Sequence, residues 1–248
     1  MNAADVVQLV AVASIVGLLI GAVGIGGVLL APWLTHAMGF AVHEAVGITM
    51  VSFIGPGLVA LSHSLRSQTA RMVEWRLVLA TAPGALAGSA ALSVVSERVA
   101  LVVLAAAVTF VGFRLLAAPR TAARHEGCQG SETPGLAMGL FVGFASSITA
   151  TGGPMILTPL AIWRGMPVLE AITLGLLVQL PIAVTATLGN LVTGSCNVAM
   201  GATIGVLLVP GMLLGRRLGP TLHRRLLERA VAILLLGSGV AFAFKALR

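Results

Sequence analysis

Seven stretches free of Asp, Glu, Lys and Arg divide this chain, at 6–35, 45–62, 77–96, 99–113, 133–163, 171–215 and 230–244. A membrane-spanning helix needs about 20 mostly apolar residues, and these runs supply little else. Only 9% of the 248 residues are charged, against about 25% in a soluble domain. Too few polar side chains exist to cover a globule in water. The runs are also unbroken, whereas the strands of a membrane barrel alternate apolar and polar residues. The pattern predicts an all-α, polytopic helical membrane protein.

Length then separates the runs into kinds. The stretch 171–215 is long enough for two spans, turning at Gly189-Asn190 through Ser195-Cys196-Asn197. The stretches 6–35 and 133–163 are too long for one. As straight helices they would extend about 45 Å at 1.5 Å per residue, against a hydrocarbon core of about 30 Å. Each carries a glycine cluster near its middle: Gly21, Gly24, Gly26 and Gly27 in the first, Gly152, Gly153 and Pro154 in the second. Such segments are expected to be broken or re-entrant.

The two halves of the chain repeat. Gly17-Leu18-Leu19-Ile20-Gly21 matches Gly139-Leu140-Phe141-Val142-Gly143, Gly26-Gly27 matches Gly152-Gly153, and Pro32 matches Pro159 within one residue. His43-Glu44-Ala45 aligns with Leu169-Glu170-Ala171, and Pro83-Gly84 through Gly88 with Pro210-Gly211 through Gly215. The organisation expected is one integral domain: a first repeat over 1–117, a cytoplasmic linker over 118–133, and a second repeat over 134–248. Charge decides how the repeats face. If every segment crossed once, eight Lys and Arg would lie on one side and seven on the other. If 133–163 instead enters and returns to the same face, the split becomes twelve against three, as the positive-inside rule requires. Symmetry extends the same geometry to 6–35, which yields two inverted four-segment repeats, a plan common among secondary transporters.

The glycine breaks are also where chemistry is expected. Closely spaced glycines leave backbone amides free to face an anion, and a half-helix starting after them carries a partial positive charge. The candidate substrate-binding residues are Gly24, Gly26 and Gly27 at the first break, and Ser146, Ser147, Thr149, Thr151, Gly152 and Gly153 at the second. Gln179 and Asn190 are intramembrane amides, which either hold helices together or line a pathway; Gln179 joins the candidates. Gly84–Gly88 and Gly211–Gly215 lie in spans of ordinary length and read as helix-packing faces. Trp33, Trp75 and Trp163 read as interfacial anchors. His43, Glu44 and Glu170 end their segments and are taken as interfacial.

Other classes of function find no support in the residues. The motif HExxH is incomplete, since His43-Glu44 is followed by Ala45-Val46-Gly47; no GxSxG elbow occurs. No carboxylate pair sits within a segment, so no enzyme is expected. Cys128 and Cys196 stand apart from any CxxC or His cluster, which indicates no metal site, disulfide or cofactor. The net charge of +7 comes from loop residues without aromatic interleaving, so nucleic acid is not an expected partner. The N-terminus has no basic n-region and reads as a retained membrane segment.

The run Gly17-x3-Gly21-x2-Gly24-Ile25-Gly26-Gly27-x4-Pro32, its echo Gly139-x3-Gly143 with Gly152-Gly153-Pro154-x4-Pro159, and Val73-Glu74-Trp75-Arg76 ahead of Pro83-Gly84 and Gly88 resemble the TauE/SafE family. The resemblance covers nearly the whole chain. The second motif has no glycine two residues ahead of the Gly152-Gly153 pair, where the family pattern carries one. The resemblance implies a multi-pass exporter of sulfite or organosulfonates in a bacterial inner membrane. Its expected partners are a small sulfur oxyanion and membrane lipid, with homo-oligomerisation left open. The alternative is an uptake permease for another small anion, such as thiosulfate or sulfate; an integral-membrane enzyme is more remote.

Overall fold

A computed structural model describes residues 3–24, 26–66, 74–117, 135–164, 166, 168–194, 196–219 and 224–247. The linker expected over 118–133 lies outside the described residues. Every regular element among those residues is helical. In order they are α1 (Ala3–Val23), a 3-10 turn (Gly27–Leu29) leading into α2 (Leu30–His36), α3 (Val42–Arg66), α4 (Trp75–Val94) and α5 (Glu97–Ala117). The second half follows with α6 (Gly135–Thr149), α7 (Pro154–Trp163), α8 (Val168–Val192), α9 (Val198–Leu218) and α10 (Arg224–Leu247).

Windows within α1, α3, α4, α8 and α9 are long and apolar enough to cross a membrane. At 15 and 10 residues, α6 and α7 reach about 22 and 15 Å, short of the hydrocarbon thickness. Large apolar side chains are exposed on the outer surface, among them Val7, Phe110, Phe113, Val206, Ile233 and Phe244. Water would not tolerate so much apolar surface; lipid does. The chain is a multi-pass membrane protein.

Glycine determines which helices meet. Gly17 and Gly21 of α1 lie against the backbone of α9 at Leu208 and Met212, while Gly211 and Gly215 of α9 lie against Ser14 and Leu18. The same clasp recurs between α4 and α6, where Gly84 and Gly88 meet Leu140 and Phe144, and Gly139 and Gly143 meet Leu77 and Thr81. Small residues four apart let two backbones touch, which is how membrane helices gain dispersion energy without a hydrophobic drive. The expected packing faces at Gly84–Gly88 and Gly211–Gly215 are therefore seen as such. Gly17, Gly21, Gly139 and Gly143 turn out to be their partners.

Residue numbers rise together in both clasps, so α1 runs parallel to α9 and α4 parallel to α6. Gly201 beside Ile48 and Val51, with Gly55 beside Gly205 and Val209, makes α3 parallel to α9 too. By contrast, Gly112 meets Ala232 and Leu236 while Gly239 meets Ala105 and Thr109, so α5 and α10 are antiparallel. The remaining major packing pairs are α3 with α8, α4 with α8 and α7 with α8.

Helix ends are capped locally. Asn197 Oδ1 accepts from the Met200 amide at 3.1 Å and starts α9, the role an N-cap asparagine plays well. His43 closes the end of α4 from another helix, its Nε2 lying 3.0 Å from the Leu92 carbonyl oxygen and 3.1 Å from that of Val95, both of which can only accept. The tryptophans divide. Trp75 is partly exposed at the start of α4, as an anchor would be, but Trp33 packs onto the hydrophobic core. The side chain of Trp163 is outside the described residues.

Candidate functional site

Both over-long segments break at their glycines, each through a left-handed residue. At the first, the Gly24 amide donates to the Ile20 carbonyl at 3.0 Å with φ at +76°, an ordinary left-handed helix stop. Gly26 then lies against Val16 and Leu19 of α1. At the second, the Thr151 amide donates to the Ser146 carbonyl at 3.2 Å, closing a six-residue Schellman loop. Its left-handed position is held by Ala150, with φ at +52°. Gly152 and Gly153 follow at +72° and +101°, and Pro154 restarts the helix at its first position, where a missing N–H costs nothing.

The two breaks share one neighbour. A Cβ on Gly27 would come within 2.6 Å of Phe53 Cε1, and a Cβ on Gly152 within 2.8 Å of Phe53 Cε2. Phe53 is fully buried and is the twelfth of 25 residues in α3. On α8 the twelfth of 25 residues is Gln179, also buried. Gly153 sits beside Val178 and Ile182, which flank it. Gly26, Gly27, Gly152, Gly153 and Gln179 are thus gathered at the middle of α3 and α8. Gly24 is not. It adjoins Ile172, seven residues and about 10 Å along α8 from Gln179.

Hydrogen bonding separates the expected donors. A serine or threonine in a helix usually returns its proton to the carbonyl three or four residues back. Thr35, Thr49, Ser52, Thr81, Ser89 and Thr185 all do so. Thr149 does as well, to Ala145 at 2.7 Å, and it lies 3.0 Å from Thr151 Oγ1. Since the Thr149 proton is already committed, Thr151 donates in that pair. Ser146 and Ser147 differ: both are fully buried, and neither hydroxyl has a partner among the described residues. The amides of Gly152 and Gly153 likewise donate to no backbone carbonyl of the described residues. Buried donors left open are uncommon, because each costs about 1–3 kcal/mol of desolvation. Phe53, which both breaks touch, carried no signal in the sequence. It is one apolar residue among many.

A cavity of about 640 Å³ lies elsewhere, lined by Ala41, His43, Glu44, Gly194, Cys196, Asn197 and Val198 at the starts of α3 and α9. Cys196 Sγ lies 3.9 Å from the Gly47 carbonyl, and burial pushes this thiol above its ordinary range. Among the described residues no three His, Cys, Asp or Glu side chains gather as metal ligands would.

Broken helices inside a multi-pass helical protein are a plan common among membrane transporters. The sequence model of the sulfite exporter TauE/SafE family matches residues 9–242, and the chain belongs to that family. The family is one of membrane transporters for sulfur anions, which accords with the lipid-facing surface and with a small anion as substrate. No curated protein and no solved structure matches the chain.

Proposed function

We propose that this chain exports a small sulfur oxyanion, sulfite or an organosulfonate, across a bacterial inner membrane, and binds it where the two breaks meet. The carrying observation is the set of open donors at the second break, the hydroxyls of Ser146 and Ser147 with the amides of Gly152 and Gly153. All four are buried and uncharged. They would replace the hydration shell of an oxyanion without holding it as tightly as a buried arginine. Gly24, Gly26 and Gly27 shape the first break, Thr149 and Thr151 brace the second, and Gln179 adds an amide from α8.

In this reading the repeats 1–117 and 134–248 face opposite ways about the linker 118–133. Exchanging them turns the α1–α9 pair into α6–α4, and α3–α9 into α8–α4, while α3–α8 and α5–α10 map onto themselves. Direction supports inversion. α3 is parallel to α9, which the short turn 193–197 makes antiparallel to α8, the counterpart of α3. Because α1 also parallels α9, the chain must return between α1 and α3, and the segment 27–36 provides that return. Twelve of the 15 basic residues then share the face at the end of α3, which becomes cytoplasmic.

Outward movement needs no further energy source over a useful range. A potential of 100 mV, inside negative, is worth about 2.3 kcal/mol per charge, roughly a 50-fold gradient for a monovalent anion. The test is efflux from liposomes containing the purified chain and loaded with sulfite, sulfoacetate, thiosulfate or sulfate. Sulfite or sulfoacetate should leave fastest, accelerated by an inside-negative potential. If none of the four leaves faster than from protein-free liposomes, the reading fails.

A further inference from the structure

Two uncharged side-chain donors on α8 are also buried and open, and neither belongs to the breaks. Thr187 Oγ1 and Asn190 Nδ2, on the last turns of α8, have no hydrogen-bond partner among the described residues. Their side chains are only 7% and 3% exposed. Thr185, two residues earlier on the same helix, does return its proton, to Pro181 at 2.7 Å. So local helix geometry does not prevent such a bond at Thr187.

Their position ties them to the second break. A single turn of α4, Gly88-Ser89, is flanked from both sides: Ser147 Cβ lies 3.0 Å from where a Gly88 Cβ would be, and Ser89 Cβ lies 2.9 Å from where a Gly189 Cβ would be. Ser147 and Gly189 thus sit at one level, and Thr187 and Asn190, on other faces of α8, lie within one turn of that level along the helix axis. On α8, Gln179 and Asn190 are eleven residues apart, about three full turns, so they share a face. Between them on that face stand Ala183 and Ala186, both fully buried. Four residues beyond Asn190, Gly194 enters the lining of the 640 Å³ cavity, with Cys196 and Asn197.

We infer that Thr187 and Asn190 form a second oxyanion station, between the second break and that cavity, through which the substrate leaves. This inference rests on the anion-transport reading. The station offers a hydroxyl and an amide N–H, donors suited to sulfur–oxygen acceptors. It carries no fixed charge, so an anion can also depart from it.

The test measures sulfite efflux from liposomes for the wild-type chain and for Thr187→Val, Thr187→Ser, Asn190→Asp, Thr185→Val and Ser147→Ala. Thr187→Val should raise the KM for sulfite about tenfold, the usual effect of losing one hydrogen bond to a charged group. Thr187→Ser, which keeps the hydroxyl, should restore it. Asn190→Asp sets a carboxylate in place of the donor and should abolish efflux while the protein elutes as the wild type on size exclusion. Thr185→Val should leave the KM unchanged. If Ser147→Ala weakens efflux while Thr187→Val and Asn190→Asp match the wild type, this assignment falls and the site at the break stands. Equal losses in Thr187→Val and Thr185→Val overturn it too, since they would report helix packing alone. A wild-type chain that moves no sulfite overturns the transport reading and this assignment with it.

Discussion

Ala150 occupies the left-handed stop of α6, a place where glycine is usual and where the family pattern has one. An L-residue there costs about 1–2 kcal/mol. Ala150→Gly should therefore raise thermal stability by about 1 kcal/mol, read as a higher melting temperature in detergent. A lower melting temperature would show that the Ala150 side chain, fully buried, contributes more by packing than its backbone costs. The hydroxyls of the same break can be ranked. Ser146→Ala and Ser147→Ala remove protons that no group among the described residues accepts, whereas Thr149→Val removes one already given to Ala145. Either serine change should weaken sulfite affinity by about tenfold, and Thr149→Val by less. The reverse order in a binding titration would move the site away from the serines.

Helix pairs depend on glycine only where a neighbouring backbone fills the space. Gly143 faces the Thr81 carbonyl and Gly215 that of Leu18, while Gly237 of α10 has nothing among the described residues within 4 Å of where a Cβ would be. Valine at 143 or 215 must push two helices apart. Overpacking of this kind costs about 1–3 kcal/mol, and more where, as here, the obstacle is backbone. Gly143→Val and Gly215→Val should lower the melting temperature sharply or prevent purification of folded protein. Gly237→Val should be silent. Equal effects at all three positions would mean that glycine acts there through backbone freedom and not through close approach.

For the molecule as a whole, the proposed topology makes a prediction for each face. Reporter fusions after residue 125 and after residue 220 should both report cytoplasm, and a fusion at the C-terminus the outside. Opposite locations for the first two would exclude a re-entrant α6–α7. Cys196 gives an independent check in a Cys128→Ser chain. It sits in the turn between α8 and α9, so an impermeant maleimide should label it in intact cells. The thiolate is the reactive form, and burial pushes this thiol up. Labelling at neutral pH should therefore be slower than for a free thiol, and should keep rising as the pH passes 9. Labelling only after lysis would place this turn in the cytoplasm.

Sequence alone determined the parts that follow from composition and spacing. Charge-free runs of membrane length specify apolar helices, because no other element buries its backbone polar groups within one segment. The positions of Gly24, Gly26, Gly152, Gly153 and Pro154 located both helix breaks, because glycine and proline act through the local backbone. Pairing needed the tertiary structure. Nothing in the order of residues says that Gly17 and Gly21 meet α9 while Gly139 and Gly143 meet α4. Nor does anything in it distinguish Phe53 from the other apolar residues, although both breaks rest on its ring. Which hydroxyls stay open was likewise illegible: Ser147 and Thr149 lie two residues apart in one helix, yet Thr149 returns its proton to Ala145 while the buried Ser147 hydroxyl meets no partner among the described residues. Side-chain rotamer and packing, which residue order does not show, made that choice.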